Sequence, residues 1–590
     1  MKTSWFVSSF AGLLWLASAG AGVALGQGAT TGAIRGQVTS GADQPATNAQ
    51  VAVTNEETGF SRTTVTDVRG RYAVPLLPPG RYTVAVRSLG NRPVTMRGVQ
   101  VGVGQAQTVD VSLQAAAVTL EEVTVVGNLA AIDATQAGVA QTITTAQIVE
   151  LPTLGRDFTD FLNLSPLVSP QPQVTTGGQF SIGGARTSGT NVQIDGADAN
   201  NVFFGENRGS SRTPFTFSLE SIKEFQLITN GFDVEYGNYQ GGVVNAVTKG
   251  GTNTLGATGF LFFRDEALTR DDFAGNAPAD FRVYQFGASV SGPIMRDKLH
   301  FFLSFDGQRK NQPVFAADPA ASGIHPDSLT RFLSILQNTY GLSNPGQYFG
   351  QKTQQENDLV LFGRLDWTIN QNHRLTLRQN FSDFEQTNDR IAFEEAVTHG
   401  GPFQDQTIST VAELNSILGG RAFNTFRFQF SYEDRPRPFL ADAGFLPEIE
   451  VRSMDPAGQQ IIEFGGDGIV FRNRLEERKV ELVDNFTYRL GSHTLKLGTR
   501  NMLSKTINTF WLNGNGVYVF NDLTDFANQS PNQYSRTLRA CPVALVNNAQ
   551  REHLEFMHSV AAVAAENASV FEALPADGVA VLNADDPMAK

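Results

Sequence analysis

The chain has 590 residues, which is enough for several domains. It holds 57 glycines and 43 phenylalanines but only 17% charged residues, a balance that favours a large β-structure with many turns. The net charge of −13 argues against a nucleic-acid-binding surface, and the single cysteine, Cys541, excludes an internal disulfide. We therefore predict a mainly β protein with no nucleic-acid partner.

The first 26 residues have the pattern of an export signal. Lys2 supplies the positive start, residues 5–19 are apolar, and Ala24-Leu25-Gly26 places small residues at a cleavage site before Gln27. The alternative is an uncleaved membrane anchor, but the run is short and glycine-rich. Because no later apolar run is long enough for a spanning helix, we expect an exported protein of the periplasm or of a membrane spanned by a β-barrel.

Residues 29–115 consist of short alternating strands separated by turns, such as Asp67-Val68-Arg69-Gly70. Strands at this spacing predict a small β-sandwich. The stretch TDVRGRYAVPLLPPGRYTVAV resembles the carboxypeptidase regulatory-like domain. That resemblance implies an accessory module without catalytic residues.

Residues 118–128, VTLEEVTVVGN, form a β-prone segment after the sandwich. One interpretation is a plain linker strand. The other is a strand that adds to the sheet edge of a partner, where backbone hydrogen bonds give the affinity. The segment alone does not decide between the two.

Residues 129–253 carry ordered glycine-rich motifs, including GGAR, IDG and GGVVN. They resemble the plug domain of TonB-dependent outer-membrane receptors, and most closely the Oar-like branch. The resemblance implies that residues 121–127 are a TonB box that pairs as a strand with TonB, which acts with ExbB and ExbD. The TonB-box residues are Glu121, Glu122, Val123, Thr124, Val125, Val126 and Gly127, and the plug-motif residues are Gly183, Gly184, Arg186, Asp195 and Gly196.

Residues 255–536 alternate apolar and polar side chains, as in Tyr284, Phe286, Ala288 and Val290 against the polar Gln285 and its neighbours. A soluble sandwich buries such an apolar face, whereas a membrane barrel turns it to lipid. Short turns at 292–298, 370–373, 419–420 and 491–492 and long polar loops at 308–356, 385–406 and 436–477 favour a membrane barrel with its short turns in the periplasm. About nine strands are predicted, near 256–264, 282–291, 299–307, 358–368, 373–382, 407–418, 422–433, 479–489 and 493–503. The resemblance implies 22 strands, so we expect an incomplete barrel.

Residues 541–590 predict a strand at PVALVNN, a helix over 554–574 and a second strand at VAVLN. This α/β unit resembles a fragment of the central domain of the Mur ligases, and most closely MurF. The resemblance implies that His553 would bind Mg²⁺ and that Asn583 would lie near adenine. The phosphate loop G-K-[ST] is absent from the chain, so we predict an inactive remnant in which His553 only faces solvent.

The export signal and the Mur-like tail belong to different compartments, because ATP is a cytosolic substrate. We therefore expect a join between a receptor gene and a ligase gene near residues 535–545. A gene fusion, a frameshift or a sequence-assembly error would each produce it.

The predicted function is that of a TonB-dependent receptor and transporter in a Gram-negative outer membrane. Its expected partners are TonB, outer-membrane lipid and an unidentified extracellular ligand, and no cofactor or functional metal is expected. Two alternatives stay open. One is an ATP-dependent ligase that joins D-alanyl-D-alanine to a muramoyl-tripeptide, and the other is an Oar-like structural or adhesive protein.

Overall fold

The computed structural model describes residues 28–582 with gaps. The predicted export signal lies outside the described residues. So do these segments and single positions: 42–43, 116–122, 127–138, 152, 154–155, 157–158, 171–179, 206–212, 214, 231–234, 236, 238–239, 390–393, 439–445, 470–472, 491–492, 538–542, 547–578 and 583–590.

The N-terminal domain is a β-sandwich, as predicted. Its strands are β1 (Gly32–Ser40), β2 (Gln44–Pro45), β3 (Gln50–Asn55), β4 (Ser61–Val65), β5 (Arg71–Leu77), β6 (Gly80–Arg87), β7 (Val94–Val101), β8 (Ala106–Thr108) and β9 (Val111–Leu113). One sheet joins β2, β1 and β5, with β8 and β9 also beside β1, and the other runs β7-β6-β3-β4. Alternate residues such as Val51, Val53, Val84 and Val86 are fully buried between the sheets.

A further strand, β10 (Val123–Val126), extends the second sheet of the sandwich. It lies parallel to β7, with Val123 opposite Val94 and Val126 opposite Arg97. This strand falls within the predicted TonB box, of which Glu121, Glu122 and Gly127 lie outside the described residues.

The plug region is a small mixed sheet with short helices. Its sheet runs β11-β16-β17-β14-β15, and two apolar clusters, one around Phe225 and one around Leu227, pack against it. The strands are β11 (Val139–Ile143), β12 (Val168–Pro170), β13 (Phe180–Ile182), β14 (Thr190–Ile194), β15 (Ala197–Asp198), β16 (Ile222–Asn230) and β17 (Gly242–Thr248). The helices are α1 (Thr145–Glu150) and α2 (Thr159–Leu162), with 3₁₀ turns at Thr187–Gly189 and Leu219–Ser221.

The largest element is a nine-stranded antiparallel sheet, which we call the wall. Neighbours in sequence pair throughout, and within the described residues its first and last strands are not paired with each other. The strands are β18 (Gly256–Asp265), β19 (Arg282–Met295), β20 (Leu299–Ala316), β21 (Gly350–Thr368), β22 (His373–Asp389), β23 (Gly401–Ile417), β24 (Ala422–Pro436) and, after the loop strands β25 (Glu448–Val451) and β26 (Ile462–Phe464), β27 (Arg474–Leu490) and β28 (His493–Thr509).

The wall buries its polar face and exposes its apolar face, which is the reverse of a soluble sheet. Leu303 is 49% exposed and Phe426 is 40% exposed, whereas the polar neighbours Ser304 and Arg427 are buried. The polar face lies against the plug, and the apolar face points outward. This is the arrangement of a membrane barrel wall, so the soluble alternative for this region is wrong.

All nine predicted wall strands are present, but several are longer than predicted. Strand β20 continues to Ala316 and β21 starts at Gly350, so parts of the predicted loops 308–356, 385–406 and 436–477 are strand. Lys310 Nζ lies 2.9 Å from Glu356 Oε1 across these extensions. In these extensions both faces of the strands carry polar side chains that can pair with each other. The alternation of apolar and polar residues therefore ends before the strands do.

The long loops also fold together into a unit that we call the loop module, formed by residues 316–349, 394–399, 446–468 and 511–535. The prediction of long polar loops was wrong in part, because Phe332 and Phe464 of these loops are buried with Phe526 in one apolar core. The rings of Phe332 and Phe526 lie 5.1 Å apart. The module contains the sheet β26-β25-β29-β30. Its remaining elements are α3 (Pro319–Ser322), α4 (Pro326–Asn338), β29 (Val517–Phe520), α5 (Leu523–Ala527), β30 (Gln533–Ser535) and a 3₁₀ turn at Pro345–Tyr348.

In the tail, β31 (Val543–Val546) and β32 (Val579–Leu582) pair in parallel, as predicted for the two strands of an α/β unit. The predicted helix 554–574, His553 and Asn583 lie outside the described residues.

Among the described residues, no helix is both long enough and apolar enough to cross a membrane.

Candidate functional site: plug, wall and coupling strand

The predicted plug-motif residues occupy two turns with different surroundings. Gly183 and Gly184 follow β13 with φ angles of +62° and +76°, in an exposed turn, and Arg186 is also exposed. Asp195 and Gly196, with φ angles of +50° and +70°, connect β14 to β15. Positive φ at both central residues is the geometry of a type I′ hairpin turn, which favours Asp-Gly.

The Asp195-Gly196 turn is the point where the plug meets the wall. Arg378 Nη1 donates to Asp195 Oδ2 at 3.0 Å, and Arg364 Nη1 lies 3.5 Å from Oδ1. Within the plug, the backbone N–H of Thr248 donates to the same carboxylate at 2.9 Å. A Cβ at Gly196 would lie 2.4 Å from Arg427 Nη1 and 2.7 Å from Ala29 Cβ, so this position favours glycine for space as well as for its φ angle.

A second anchor lies three residues further along the plug. Lys479 Nζ, fully buried on β27, lies 2.8 Å from Asp198 Oδ1 and also donates to the carbonyl of Asn200 at 3.0 Å. Arg500 Nη2 is 3.6 Å from Asp198 Oδ2. A buried charge is tolerated when it is paired and hydrogen-bonded, and both conditions hold here.

Two further contacts continue this line of polar attachment. Asn201 Nδ2 donates to Glu433 Oε2 at 2.9 Å, and the backbone N–H of Val202 donates to Glu477 Oε2 at 2.8 Å. On another segment of the plug, Lys496 Nζ lies 2.6 Å from Glu235 Oε1. Strands β14 and β15 are therefore held to the wall by paired charges.

The family resemblance named Asp195 and Gly196 as plug-motif residues but not their wall partners Arg364 and Arg378, nor Lys479. These wall residues lie at alternate positions on the polar face of their strands, which was the only signal for them. Nothing in the local sequence gives their plug partners, since Lys479 and Asp198 are 281 residues apart.

The short-turn end of the wall touches the sandwich, whereas the loop module lies beyond the other ends of the strands. Arg62 of the sandwich donates from Nε to the carbonyl of Gln371, in a short wall turn, at 3.3 Å. The backbone N–H of Asn253 donates to the carbonyl of Glu57 at 2.8 Å. The sandwich, the coupling strand (Val123–Val126, strand β10) and the short turns thus occupy one end of the molecule.

The loop module contains a group of side chains that could hold a metal ion. His399 Nε2 lies 3.7 Å from Glu463 Oε2 and 3.9 Å from Glu395 Oε1, and Glu448 and Asp467 complete a second set with the same histidine. Burial, and then the carboxylate of Glu395, raise the pKa of Glu463 to about 8. Sequence reasoning did not find this group, because its members come from two segments that are far apart in the chain.

Comparison with known families agrees with this architecture. The Outer membrane beta barrel domain family matches residues 247–321 and 315–555, which is more than half of the chain. The TonB-dependent Receptor Plug Domain matches 133–244, and the Carboxypeptidase regulatory-like domain matches 33–114. The chain therefore belongs to the outer-membrane β-barrel family of TonB-dependent receptors, which indicates an outer-membrane setting.

Among individual proteins, the chain is similar to the TonB-dependent transporter Oar of Myxococcus xanthus, with 30% identity over 275 residues, 44% of this chain and 25% of that protein. Among solved structures it is similar to the outer membrane transporter YddB from Escherichia coli, with a TM-score of 0.45 and 13% identity over 65% of this chain and 50% of that one. The siderophore receptor PirA from Acinetobacter baumannii gives a TM-score of 0.42 and 17% identity over 63% and 48%. The chain thus spans about a quarter of the curated relative and about half of these structures.

The tail also matches a family. The Mur ligase middle domain matches residues 526–590, and its match overlaps that of the barrel family over 526–555. The predicted join at 535–545 lies inside this overlap. Contacts with the loop module continue to Thr537, whose carbonyl accepts a hydrogen bond from Trp511 Nε1 at 2.9 Å.

Proposed function

We propose that this receptor captures a ligand at the loop module and admits it through the wall when TonB pulls on residues 121–127. The observation that carries the proposal is the placement of the coupling strand. It lies at the short-turn end of the molecule, and the chain runs from it through residues 127–138 to β11, the edge strand of the plug sheet.

Strand β11 is placed so that a pull removes it first. It pairs antiparallel with β16, with Val139 opposite Asn230 and Ile143 opposite Phe225. Force arriving from residue 126 acts on Val139, so the backbone hydrogen bonds of the ladder are broken in sequence from that end rather than all at once. An edge strand has only one neighbour to lose, so its removal leaves the rest of the sheet paired.

The opposite edge of the plug sheet is the anchored one. Asp195 and Asp198, at the β14–β15 hairpin, are held by Arg378 and Lys479 of the wall. The plug therefore has a removable edge, which follows the coupling strand in the chain, and a fixed edge attached to the wall. In this proposal a pull opens a passage beside the plug while the ion-paired edge keeps the domain in place.

The test uses the purified periplasmic domain of TonB as the probe, because the ligand is unidentified. Val125→Pro removes a backbone N–H from the coupling strand and should abolish binding of the TonB domain, as should deletion of residues 121–127. Val125→Ile keeps the backbone donor and is the matched control. Unchanged TonB binding by both the proline variant and the deletion would refute the proposal.

A cell-based measurement separates transport from the structural or adhesive alternative. Surface display and adhesion should persist in a strain that lacks TonB, whereas growth that depends on an imported nutrient should be lost. If every phenotype of the protein survives without TonB, an adhesive role is favoured instead.

We also infer that the Mur-like tail carries out no ligase chemistry. The proposal rests on the missing G-K-[ST] loop, without which the phosphates of ATP have no lysine and no backbone cradle. The purified chain should hydrolyse no ATP above a buffer blank in the presence of Mg²⁺. Activity that His553→Ala abolishes would overturn this inference.

A further inference from the structure

We propose that the outer edge of β7 in the sandwich is an interaction surface whose occupant is the chain's own coupling strand. This strand must leave β7 before TonB can pull on the plug. The proposal rests on the proposed role of residues 121–127 as the TonB-binding segment. It adds a regulatory role for the sandwich.

The contact is a backbone ladder in a defined register. Val123, Thr124, Val125 and Val126 lie opposite Val94, Thr95, Met96 and Arg97, in parallel. On its other side β7 pairs antiparallel with β6, so without the coupling strand β7 would be the sheet edge. An exposed edge of this kind is a template for any extended strand, and here the strand comes from the same chain.

The described ladder between the coupling strand and β7 reaches Arg97, next to a bend in β7 at Gly98. Gly98 has a φ angle of +76°, and its N–H donates to Glu56 Oε1 at 2.9 Å. The pairing of β7 with β6 shifts register between Tyr82 and Val84. The surface beyond Arg97 is thus turned to a different partner, and the part of the docked segment that the structure describes is four residues long, a length that favours exchange over permanent pairing.

The segment before the coupling strand is attached to the sandwich on its own account. Arg92 N–H donates to the carbonyl of Gln114 at 2.8 Å, and Asn91 and Ala115 form an antiparallel bridge. The fully buried core of the sandwich, including Val51 and Val84, lies between strands that do not involve β10. Departure of the coupling strand therefore leaves the sandwich folded.

Release is required by the path of the force. While the coupling strand is paired with β7, a pull on it passes into the sandwich through the ladder. Only after separation from β7 does the same pull reach β11 through residues 127–138. TonB therefore binds only those molecules in which the strand is free, so its apparent affinity is its intrinsic affinity multiplied by the fraction of free strand.

The experiment locks the strand with a disulfide in the full chain. Arg97→Cys and Val126→Cys are introduced at paired positions, in a Cys541→Ser background that removes the only native thiol. The matched control pair, Ala52→Cys with Thr63→Cys, joins register partners of β3 and β4 inside the sandwich, away from the coupling strand. Both pairs are oxidised and titrated with the periplasmic domain of TonB.

We expect the oxidised 97–126 pair to bind the TonB domain at least about tenfold more weakly than its reduced form, with no change in the control pair. Equal binding in both redox states overturns the inference, because TonB would then add to the docked strand. Failure of the 97–126 pair to crosslink while the control pair does also overturns it. Absence of TonB binding even in the reduced protein refutes the proposed function instead, so the two failures are distinguishable.

Discussion

The interior of the sandwich and the interface between plug and wall both lie between β-sheets, but the first is filled by apolar side chains and the second by paired charges. In the sandwich, residues such as Val53 and Val84 are fully buried and exclude water by apolar contact. At the plug interface, Lys479 and Arg378 are equally buried and are matched to Asp198 and Asp195.

This difference corresponds to what each region does in the proposed mechanism. Separating an apolar core exposes surface that water cannot solvate favourably, so the sandwich stays closed. At the plug interface each buried charge depends on its partner, because removing one partner leaves the other uncompensated in the interior. Such an interface fixes the register of the β14–β15 edge on the wall, which suits the edge that stays in place while β11 is pulled away.

The largest effect should come from removing one partner of a fully buried pair. Lys479→Met leaves Asp198 buried beside the wall with Arg500 as its remaining cationic partner among the described residues, and should destabilise plug attachment by about 3–5 kcal/mol. Protease resistance of the plug in detergent-solubilised protein is the measurement. Lys505→Met, at an exposed position of β28, is the control and should leave resistance unchanged. Equal resistance in the two variants would show that the Lys479 pair does not hold the plug.

The sandwich should be sensitive to loss of volume rather than of charge. Leu77→Ala, at a fully buried position, should lower the free energy of unfolding of the sandwich by about 3 kcal/mol while leaving plug resistance intact. Leu89→Ala, at a fully exposed leucine, is the matched control and should have no measurable effect. If Leu77→Ala also loosens the plug, the two regions are coupled more tightly than the comparison implies.

Alanine substitutions at the glycines of the two plug turns should separate the cost of a steric clash from the cost of a positive φ angle. Gly196→Ala combines a positive φ angle with a clash against Arg427 and should weaken plug attachment by about 2 kcal/mol. Gly183→Ala has a similar φ angle but no atom within 4 Å of the added Cβ, so it should lose only about 1 kcal/mol. Differential scanning calorimetry of both variants checks the order, and a reversed order would contradict the close approach at Gly196.

The loop module should show a pH dependence, because several carboxylates gather around Glu463 there. The pKa of Glu463 is raised to about 8, so the folded module keeps a proton that the unfolded chain loses near pH 4.5. Stability should therefore fall as pH rises from about 4.5 to about 8. Unfolding followed by Trp511 fluorescence should show this slope, and Glu463→Gln should flatten it. Glu450→Gln removes one of the smaller charges that raise this pKa and should only reduce the slope. A slope that rises with pH would refute the assignment.

Local patterns carried much of the fold. The nine wall strands were predictable because alternation with period two is written into each strand, as in Tyr284, Phe286, Ala288 and Val290. The Asp195-Gly196 turn was predictable as a plug motif, and its I′ geometry follows from the preference of this dipeptide for positive φ. The parallel pairing of β31 with β32 followed from two short apolar runs separated by a helical pattern.

The core of the loop module was not predictable, because Phe332 and Phe464 stand in segments predicted as polar loops and Phe526 follows the last predicted wall strand. The His399 group was missed for the same reason, since Glu395, Glu448 and Glu463 meet only after the loops fold. The assignment of residues 121–127 to TonB stays a prediction. The structure adds that their described part, Val123–Val126, is paired with the sandwich.

By itself, the sequence determined where strands form and where tight turns fall, since backbone sterics and side-chain alternation act over a few residues. The tertiary structure decided which face of each wall strand is covered by the plug, which charges meet across it, and which sheet edge receives the coupling strand. Those outcomes depend on contacts between residues up to 281 positions apart, such as Lys479 with Asp198, and no local pattern encodes the partner of a buried charge.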